Sequence, residues 1–537
     1  MLAKNGMVVT ANPYASAIGL EILKKGGNAF DAAIAVQFAL AVCYPRAGNI
    51  GGGGFLVYRK ADGTVGSLDF REKAPKAATT NMYLDSLGNY ISDLSKRGHL
   101  AVGVPGTVAG MVAMHEKLGS LPFADLVNPS VELAHNGVKL SKNEADKFNQ
   151  YQEDFKELNH FQINAWKEGG WQEGDSLKHP ELAATLARIR NSGRDGFYKG
   201  ETADLFVEEI KAGNGIITHE DLEAYQAVWR DALVENYQDD YRIISMPPPS
   251  SGGIALVQLL EGSEMFDFTA MGHNTVESIH VMTELERRVY ADRSMYLGDM
   301  DFYKVPMQQL LNPDYLKERF ADIKMDKKTD SQDIKEGKVG KIESVETTHF
   351  SIVDKDGNAA SITTTLNDNY GSKVMVKGAG FFLNNEMDDF SAKPGEPNMF
   401  GLIGAEANKI EPEKRMLSSM TPTIVEKNGE LFMVVGTPGG ATIITCVYQT
   451  IMNVIAHGMN IQEAVNAKKT HSQWLPDVVL LEENAVDDAV VEGLKKLGHE
   501  IEYRPALGRM EAVLVLPDGT LEGAADYTRG DDSAMGF

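Results

Sequence analysis

Two stretches near the N-terminus repeat their apolar residues at helical spacing. The first covers residues 14–25 and ends at Gly26 and Gly27, a pair typical of a helix C-terminus. The second opens at Asn28 and is rich in alanine as far as Val42. Because this second stretch is apolar nearly all round, we expect its helix to be buried on every side.

Two other regions have the composition and turns of β-hairpins. One pairs residues 55–58 with 67–71 across an Asp62-Gly63 turn. The other pairs residues 347–353 with 359–366 across a turn whose Gly357 and Asn358 can take positive φ. Since the second strand folds back on the first, we expect Thr365 to lie near Thr347.

The remaining pattern is mainly helical between residues 100 and 335, with one strand predicted at 241–246 before a Pro-Pro-Pro-Ser-Ser-Gly-Gly run. Later, an apolar strand at 431–435 leads through a glycine-rich turn into a helix at 441–457, and a last strand follows at 512–516. The polar stretch 324–341 is expected to be an exposed connector. The loop 391–415 is expected to cover a binding site, with Phe400 as its apolar plug.

Composition is that of a globular protein of 537 residues, 43% hydrophobic and 24% charged. The net charge of −24 argues against nucleic acid or an anionic membrane surface as a partner. No apolar run reaches the roughly 18 residues of a membrane span. Cys43 and Cys446 lie in apolar helical contexts and are predicted to be core residues. The 12 histidines are scattered, and no metal-ligand spacing or phosphate-binding glycine loop is found. We therefore expect no metal and no cofactor.

The hairpin at 347–366 also contains threonines that can act in catalysis. It opens Thr347-Thr348-His349 and ends in three threonines followed by Leu366-Asn367. This pattern resembles the maturation site of the γ-glutamyltranspeptidases, whose chain cuts itself before the first threonine of Thr-Thr-His. A threonine hydroxyl needs a base to act as a nucleophile, and a freed N-terminal threonine carries one in its α-amine, with a pKa of about 7.7–8.0. The resemblance implies cleavage between Glu346 and Thr347, into fragments 1–346 and 347–537.

The resemblance extends over nearly the whole chain. Family-like segments follow one another at residues 70–75, 102–110, 247–253, 384–390 and 417–422. They imply the mixed α/β (α+β) fold of the N-terminal-nucleophile hydrolases, a four-layer αββα sandwich. In that fold the two fragments are interwoven in one body, as a heterodimer of the chain's own pieces.

The resemblance also implies how a γ-glutamyl group is held. Its α-carboxylate suits a bidentate guanidinium, and Arg71 matches the family's arginine. Ser418 and Ser419 match the paired serines that add hydrogen bonds to the carboxylate. The positions that match the family's acceptors for the α-ammonium are Asn367, Glu386 and Asp389.

Three further assignments concern the reacting atoms. Gly439 and Gly440 follow an apolar strand and open a helix, so their N–H groups are expected to stabilise an oxyanion on the γ-carbonyl. Thr365 is expected to hydrogen-bond the Thr347 hydroxyl and orient it. His349 is interpreted as structural, because the freed amine already supplies a base.

The predicted function is that of a self-cleaving γ-glutamyltranspeptidase and glutathione hydrolase. It transfers the γ-glutamyl group of glutathione and related compounds, through an ester on Thr347, to water or to amino-acid and dipeptide acceptors. The alternatives are poly-γ-glutamate processing, a glutaryl (cephalosporin) acylase of the same fold, and a non-catalytic binding relative. The resemblance implies a periplasmic or secreted protein. Residues 1–10 do not resemble a signal peptide, and the sequence alone permits the cytoplasm.

Overall fold

The structure is a computed structural model that describes residues 1–334, 347–393, 396, 398–399 and 404–537. Glu346, on the amino side of the predicted cleavage site, lies outside the described residues, and so does Phe400. The same holds for the predicted connector beyond residue 334, whose earlier part is mostly exposed.

The strands of the described residues are β1 (Leu2–Ala3), β2 (Gly6–Thr10), β3 (Gly53–Arg59), β4 (Val65–Asp69), β5 (Val138–Lys139), β6 (Ser176–Leu177), β7 (Val228–Arg230), β8 (Leu233–Tyr237), β9 (Tyr241–Ser245), β10 (Thr347–Asp354), β11 (Ala359–Thr365), β12 (Thr423–Lys427), β13 (Glu430–Gly436), β14 (Thr470–His471), β15 (Val479–Glu482), β16 (Ile501–Arg504), β17 (Glu511–Val515), β18 (Leu521–Ala525) and β19 (Ser533–Gly536).

The helices are α1 (Pro13–Lys24), α2 (Ala29–Cys43), α3 (Ser92–Lys96), α4 (Thr107–Leu118), α5 (Phe123–Asn136), α6 (Lys142–Gln150), α7 (Gln152–Leu158), α8 (Pro180–Ser192), α9 (Asp195–Tyr198), α10 (Gly200–Ala212), α11 (His219–Ala224), α12 (Gly252–Ser263), α13 (Phe268–Met271), α14 (Val276–Tyr296), α15 (Met307–Leu310), α16 (Pro313–Phe320), α17 (Thr442–Ile455), α18 (Ile461–Asn466) and α19 (Asp488–Lys496). Short 3₁₀ turns occupy His99–Ala101, Glu386–Asp389 and Glu406–Asn408.

Two seven-stranded antiparallel sheets form the centre of the molecule. Their strand orders are β1-β18-β17-β13-β12-β9-β8 and β19-β2-β10-β11-β3-β4-β7. Both sheets contain strands from before residue 334 and strands from after residue 347. The two parts of the chain therefore share one hydrogen-bonded framework.

Helices cover the outer face of each sheet, so the molecule has four layers. Helices α1, α2 and α4 pack on the second sheet, and α12, α17 and α18 pack on the first. Successive side chains of β10 point to opposite faces of its sheet. Phe350 and Ile352 join the apolar core with α2, whereas Val353 joins the core between the sheets. The predicted αββα sandwich is confirmed.

Several local predictions also hold. Helix α2 is buried along its whole length, with Asn28 and Asp31 forming a capping box at its start. Both hairpins form, and Thr347 pairs directly with Thr365 across β10 and β11. Cys43 and Cys446 are buried and free.

In two places the structure differs in detail from the sequence pattern. In the turn of the β10–β11 hairpin only Gly357 has a positive φ, of +88°. Asn358 instead bonds Asp354, both through its backbone N–H (3.0 Å) and through its side-chain amide (2.8 Å). The region 100–335 contains β5 to β8 besides the predicted strand. Of these, β8 arises because Leu233–Tyr237 pairs with Tyr241–Ser245 as a hairpin.

Candidate active site

One cavity opens where β10 begins, beside the turn that links β13 to α17. Its wall contains nine of the predicted site residues, namely Arg71, Thr347, Thr365, Asn367, Glu386, Asp389, Ser418, Ser419 and Gly440. Gly439 is next in the chain but is not part of the wall. The wall also contains Arg293, Met420 and Ile443, none of which was predicted from the sequence.

Thr347 and Thr365 form the reactive end of this cavity. Their hydroxyl oxygens are 3.5 Å apart, a long hydrogen bond, and both residues are buried. The Thr365 hydroxyl oxygen accepts a hydrogen bond from the Asn367 N–H at 2.7 Å. Because that contact uses only a lone pair, the Thr365 proton remains available for the Thr347 oxygen.

His349 lies two residues along β10, in the interface between the sheets. Its ring nitrogens are 2.9 Å from the Thr363 hydroxyl and 3.0 Å from the Ser351 hydroxyl. Burial lowers the pKa of His349 to about 3, so the ring is neutral at ordinary pH. These contacts, one of which links β10 to β11, support its interpretation as a structural residue.

Arg71 lies just after β4 and is surrounded by carboxyl groups. Its guanidinium contacts Glu386 directly and Asp389 at 2.5 Å, and it approaches Glu72 at 3.6 Å. It also donates to the carbonyl oxygen of Leu417 at 3.3 Å. The predicted carboxylate binder and the predicted ammonium binders are therefore paired with one another in the free site.

The protonation of this cluster follows from its burial. Burial raises the pKa of Glu386 well above its usual range, that of Asp389 to about 6 and that of Glu72 to about 7, although Arg71 opposes each shift. Burial by itself lowers the pKa of Arg71, but the surrounding carboxylates raise it, so Arg71 stays charged. Three acids share one guanidinium, and charge balance favours a proton on at least one of them.

Two of the residues predicted to bind an ammonium group have side-chain oxygens that can still accept a hydrogen bond. Asn367 has a positive φ of +79°, which asparagine tolerates better than most residues. Its side-chain nitrogen donates to the Asn385 carbonyl at 3.0 Å. Within the described parts of the chain its side-chain oxygen accepts nothing, and the second carboxyl oxygen of Glu386 is buried without a partner. Asp388, by contrast, accepts from Ser95 and Tyr90 and is not part of the wall.

The two serines are presented by a loop that precedes β12. The Ser418 hydroxyl oxygen accepts from the Met420 N–H at 3.1 Å, and the Ser419 hydroxyl oxygen accepts from Arg293 at 3.0 Å. Neither hydroxyl donates to any described residue, so each retains a proton for a ligand. The run at 247–253 holds this loop, because the Ser418 N–H donates to the Pro249 carbonyl at 2.9 Å and the Ser250 hydroxyl donates to the Met420 carbonyl at 2.7 Å.

Gly439 and Gly440 have φ values of +139° and +56°, which favour glycine. Their carbonyl oxygens accept from Thr442 and Ile443 in the first turn of α17. As far as the structure describes the chain, neither glycine N–H donates to a protein acceptor. The start of α17 therefore offers unpaired N–H groups next to Thr347, although only Gly440 lines the cavity.

The loop 391–415 reaches the site with the two described residues that precede Phe400. The Asn398 side chain donates to Asp389 at 3.3 Å, and the Met399 N–H donates to Asp388 at 2.8 Å. Met399 is buried, with its sulfur 3.7 Å from the Asn367 side-chain nitrogen. These residues lie against the ammonium side of the cavity, while the predicted role of Phe400 stays a prediction.

Arg293 is the one charged side chain of the wall that sequence reasoning missed. It lies on α14, where Arg287 and Arg288 are buried as well. No sequence signal separates these three arginines, since only the fold determines which of them reaches the cavity.

The described residues offer neither a metal centre nor a membrane span. They contain no group of three or more histidine, cysteine, aspartate or glutamate side chains arranged to hold a metal ion. None of their helices combines the length and the apolar character needed to cross a bilayer.

Comparison with known proteins gives consistent results. The family model described as gamma-glutamyltranspeptidase matches residues 15–536. The glutathione hydrolase proenzyme of Escherichia coli K12 is 45% identical over 538 residues, covering 100% of this chain and 92% of its own length.

Solved structures match as well. The γ-glutamyltranspeptidase of Helicobacter pylori is 46% identical with a TM-score of 0.58, covering 60% of this chain and 93% of its own. The cephalosporin acylase of Bacillus halodurans has a TM-score of 0.87 at 26% identity, covering 100% of this chain and 96% of its own. Together with the threonine pair at the start of β10, these matches show that the chain belongs to the γ-glutamyltranspeptidase family of N-terminal-nucleophile hydrolases.

Proposed function

We propose that Thr347 is the nucleophile of a γ-glutamyltransferase and glutathione hydrolase, and that the chain frees it by cleaving its own Glu346–Thr347 bond. The observation that carries this proposal is the placement of Thr347 opposite Thr365, in a cavity that is also lined by hydrogen-bond donors and by carboxyl groups. The Thr347 hydroxyl attacks the Glu346 carbonyl, the amide becomes an ester, and water opens the ester. The products are fragments 1–346 and 347–537, held together by the shared sheets.

In the matured enzyme the Thr347 α-amine takes the proton of the Thr347 hydroxyl. Its reference pKa of about 7.7–8.0 leaves a neutral fraction at ordinary pH. The hydroxyl oxygen then attacks the γ-carbonyl, and the N–H of Gly440, with that of Gly439 behind it, stabilises the oxyanion. The amine passes the proton to the leaving nitrogen, and a γ-glutamyl ester remains on Thr347. Water or an acceptor amine opens that ester and completes hydrolysis or transfer.

The groups that line the cavity match the two charges of the substrate's head group. Arg71 and the free hydroxyl protons of Ser418 and Ser419 bind the α-carboxylate. Asn367, Glu386 and Asp389 bind the α-ammonium, which replaces the guanidinium as the partner of the two acids. An incoming zwitterion brings one charge of each sign, so the charge balance of the cluster is kept.

This acid cluster also favours γ-glutamyl compounds over glutaryl ones. A glutaryl group has no ammonium, and it would leave buried carboxyl groups without a cation other than Arg71. A non-catalytic role is disfavoured because the nucleophile, its hydroxyl partner and the unpaired N–H groups are all present. Glutathione is the proposed donor, because the relatives most similar in sequence are glutathione hydrolases by name.

The test is a panel of γ-glutamyl-p-nitroanilide, glutathione, glutaryl-p-nitroanilide and poly-γ-glutamate, each with and without a dipeptide acceptor. We expect turnover of the first two, stimulated by the acceptor, and much slower turnover of the glutaryl compound. Preferential turnover of glutaryl-p-nitroanilide or of poly-γ-glutamate would assign the site to one of the alternative activities.

We also propose that the protein works in the periplasm or outside the cell, in line with the family resemblance. Fractionation of the source cells, with the two fragments detected by antibody, tests this. Detection only in the cytoplasmic fraction would contradict it.

A further inference from the structure

Arg293 is a buried cation at the active-site wall that the proposed catalytic steps do not use. It lies near the end of α14 and is only 4% exposed. Its guanidinium donates to the Ser251 hydroxyl at 2.9 Å and to the Ser419 hydroxyl at 3.0 Å. Both partners are neutral.

Its neighbours on the same helix are paired differently. Arg287 contacts Asp477 and Glu284, and Arg288 contacts Glu284 at 2.7 Å and Asp322 at 2.8 Å. Arg293 forms no ion pair with any carboxylate among the described residues. A buried guanidinium without a counter-ion is costly, because hydrogen bonds to neutral groups offset only part of its lost hydration. Since the described residues supply no counter-ion, we expect an anion that enters the cavity to take that role.

The contact with Ser419 directs a proton towards such an anion. A serine oxygen that accepts from a guanidinium has its own O–H left to donate. Ser419 does not donate to any residue that the structure describes. Arg293 thus fixes the hydroxyl in the donor orientation that a carboxylate needs.

A second contact steadies the neighbouring serine. The Ser251 oxygen accepts from Arg293, and the Ser251 hydroxyl donates to the Ser418 carbonyl at 2.7 Å. The Ser251 N–H donates to the same carbonyl at 2.8 Å. One guanidinium therefore holds both members of the serine pair, which gives the Pro-Pro-Pro-Ser-Ser-Gly-Gly run a role at the site.

The charges of the cavity wall also favour an anion beside Arg293. Arg71 is already paired with Glu386 and Asp389, so it contributes little net attraction for an incoming anion. Arg293 supplies a positive charge that no described carboxylate neutralises through an ion pair. Its field also reaches Asp389, where it favours the ionised form and so acts against the rise that burial causes in the pKa of Asp389.

From these contacts, and resting on the proposed α-carboxylate subsite, we infer that Arg293 is a positioning residue that selects γ-acyl donors carrying an α-carboxylate. It acts by holding Ser419 and Ser418 as donors and by supplying a positive charge behind them.

The test compares three p-nitroanilides in mature enzyme at high enzyme concentration. The γ-glutamyl compound has both head-group charges, the glutaryl compound keeps only the carboxylate, and the 4-aminobutyryl compound keeps only the ammonium. For Arg293→Met we expect kcat/KM to fall about tenfold or more on the two carboxylate substrates, mainly through KM. The 4-aminobutyryl compound should be affected much less. Arg293→Lys, which keeps the charge, should restore part of the activity.

Two controls complete the design. Arg288→Lys alters a buried arginine of the same helix that does not line the cavity, and it should not change the ranking of the substrates. A cycle of Arg293→Lys with Ser419→Ala should be non-additive on the γ-glutamyl compound, since the arginine acts through that serine. If Arg293→Met does not fold, the three substrates are compared with Arg293→Lys instead.

The outcomes distinguish a failure of the role of Arg293 from a failure of the proposed function. Equal decreases on all three substrates, or an additive cycle, would overturn the role of Arg293 while the proposed function stands. A wild-type enzyme that turns over no γ-glutamyl compound would overturn the proposed function, and this inference with it.

Discussion

Replacing Arg71 with lysine keeps the positive charge of the acid cluster but removes the guanidinium fork. In the free site the two terminal nitrogens of Arg71 reach different carboxyl groups, Glu386 and Asp389, and one of them also donates to the Leu417 carbonyl. A lysine side chain ends in a single ammonium on a flexible stem. It cannot direct two hydrogen bonds at fixed angles as the two terminal nitrogens of Arg71 do. The buried acids therefore keep a cation, but the substrate no longer receives both hydrogen bonds of the fork.

The magnitude follows from the strength of a single hydrogen bond between the guanidinium and the substrate. A hydrogen bond to a charged group contributes about 1.5–3 kcal/mol. Removing one such bond to the α-carboxylate lowers kcat/KM by about tenfold to about a hundredfold, since each 1.4 kcal/mol is about a factor of ten. Arg71→Met differs, because it leaves the buried acids with no guanidinium at all, which costs about 3–5 kcal/mol of stability.

The assay is hydrolysis of γ-glutamyl-p-nitroanilide by mature Arg71→Lys enzyme, with its melting temperature as a control for folding. Self-cleavage is expected to proceed, because Arg71 serves the head group of the substrate and not the scissile bond. An unchanged kcat/KM in a folded, cleaved variant would refute the assignment of Arg71 to the α-carboxylate.

Two other predictions concern Thr365 and Glu72. Thr365→Val removes the hydroxyl that contacts that of Thr347, so self-cleavage should slow on a denaturing gel and kcat should fall about a hundredfold. Normal rates of both would mean that Thr365 only pairs the strands. The folded pKa of Glu72, about 7, lies above its ordinary value of 4.5, so the folded protein holds a proton that the unfolded chain has released. The contribution of Glu72 to the free energy of unfolding should therefore fall as pH rises from 4.5 to about 7. Urea denaturation at pH 5 and pH 8 should show a smaller drop for Glu72→Gln than for wild type, and an equal drop would contradict the buried-acid assignment.

Family motifs predicted the sandwich fold, and they identified nine residues that the structure places around one cavity. The hairpin pattern predicted that Thr365 lies near Thr347, and the two residues pair directly in the structure. The apolar character of α2 likewise predicted its burial. These features depend on neighbours in the chain, where periodicity and turn chemistry are informative.

Features that depend on distant neighbours were not predictable. The ion pairs of Arg71 join a residue after β4 to a 3₁₀ turn more than 300 positions later. Nothing in the local sequence shows that the three acids and the guanidinium neutralise one another before a substrate binds. Arg293 is a similar case. It lines the cavity and Arg288 does not, and this difference depends on which part of the fold each side chain faces. The hairpin partner of β9 was missed because helical patterns dominate the surrounding region.

The most direct test of Thr347 as a self-released nucleophile is the intact mass and N-terminal sequence of the purified protein, measured for wild type and for Thr347→Ala. Wild type should give one fragment of 346 residues and one of 191, which is 537 minus 346. The smaller fragment should begin at Thr347 and should gain the mass of a γ-glutamyl group there when it is quenched during turnover. Thr347→Ala should remain one chain without activity. A cleaved Thr347→Ala variant, or a wild-type fragment that begins at another residue, would contradict this mechanism.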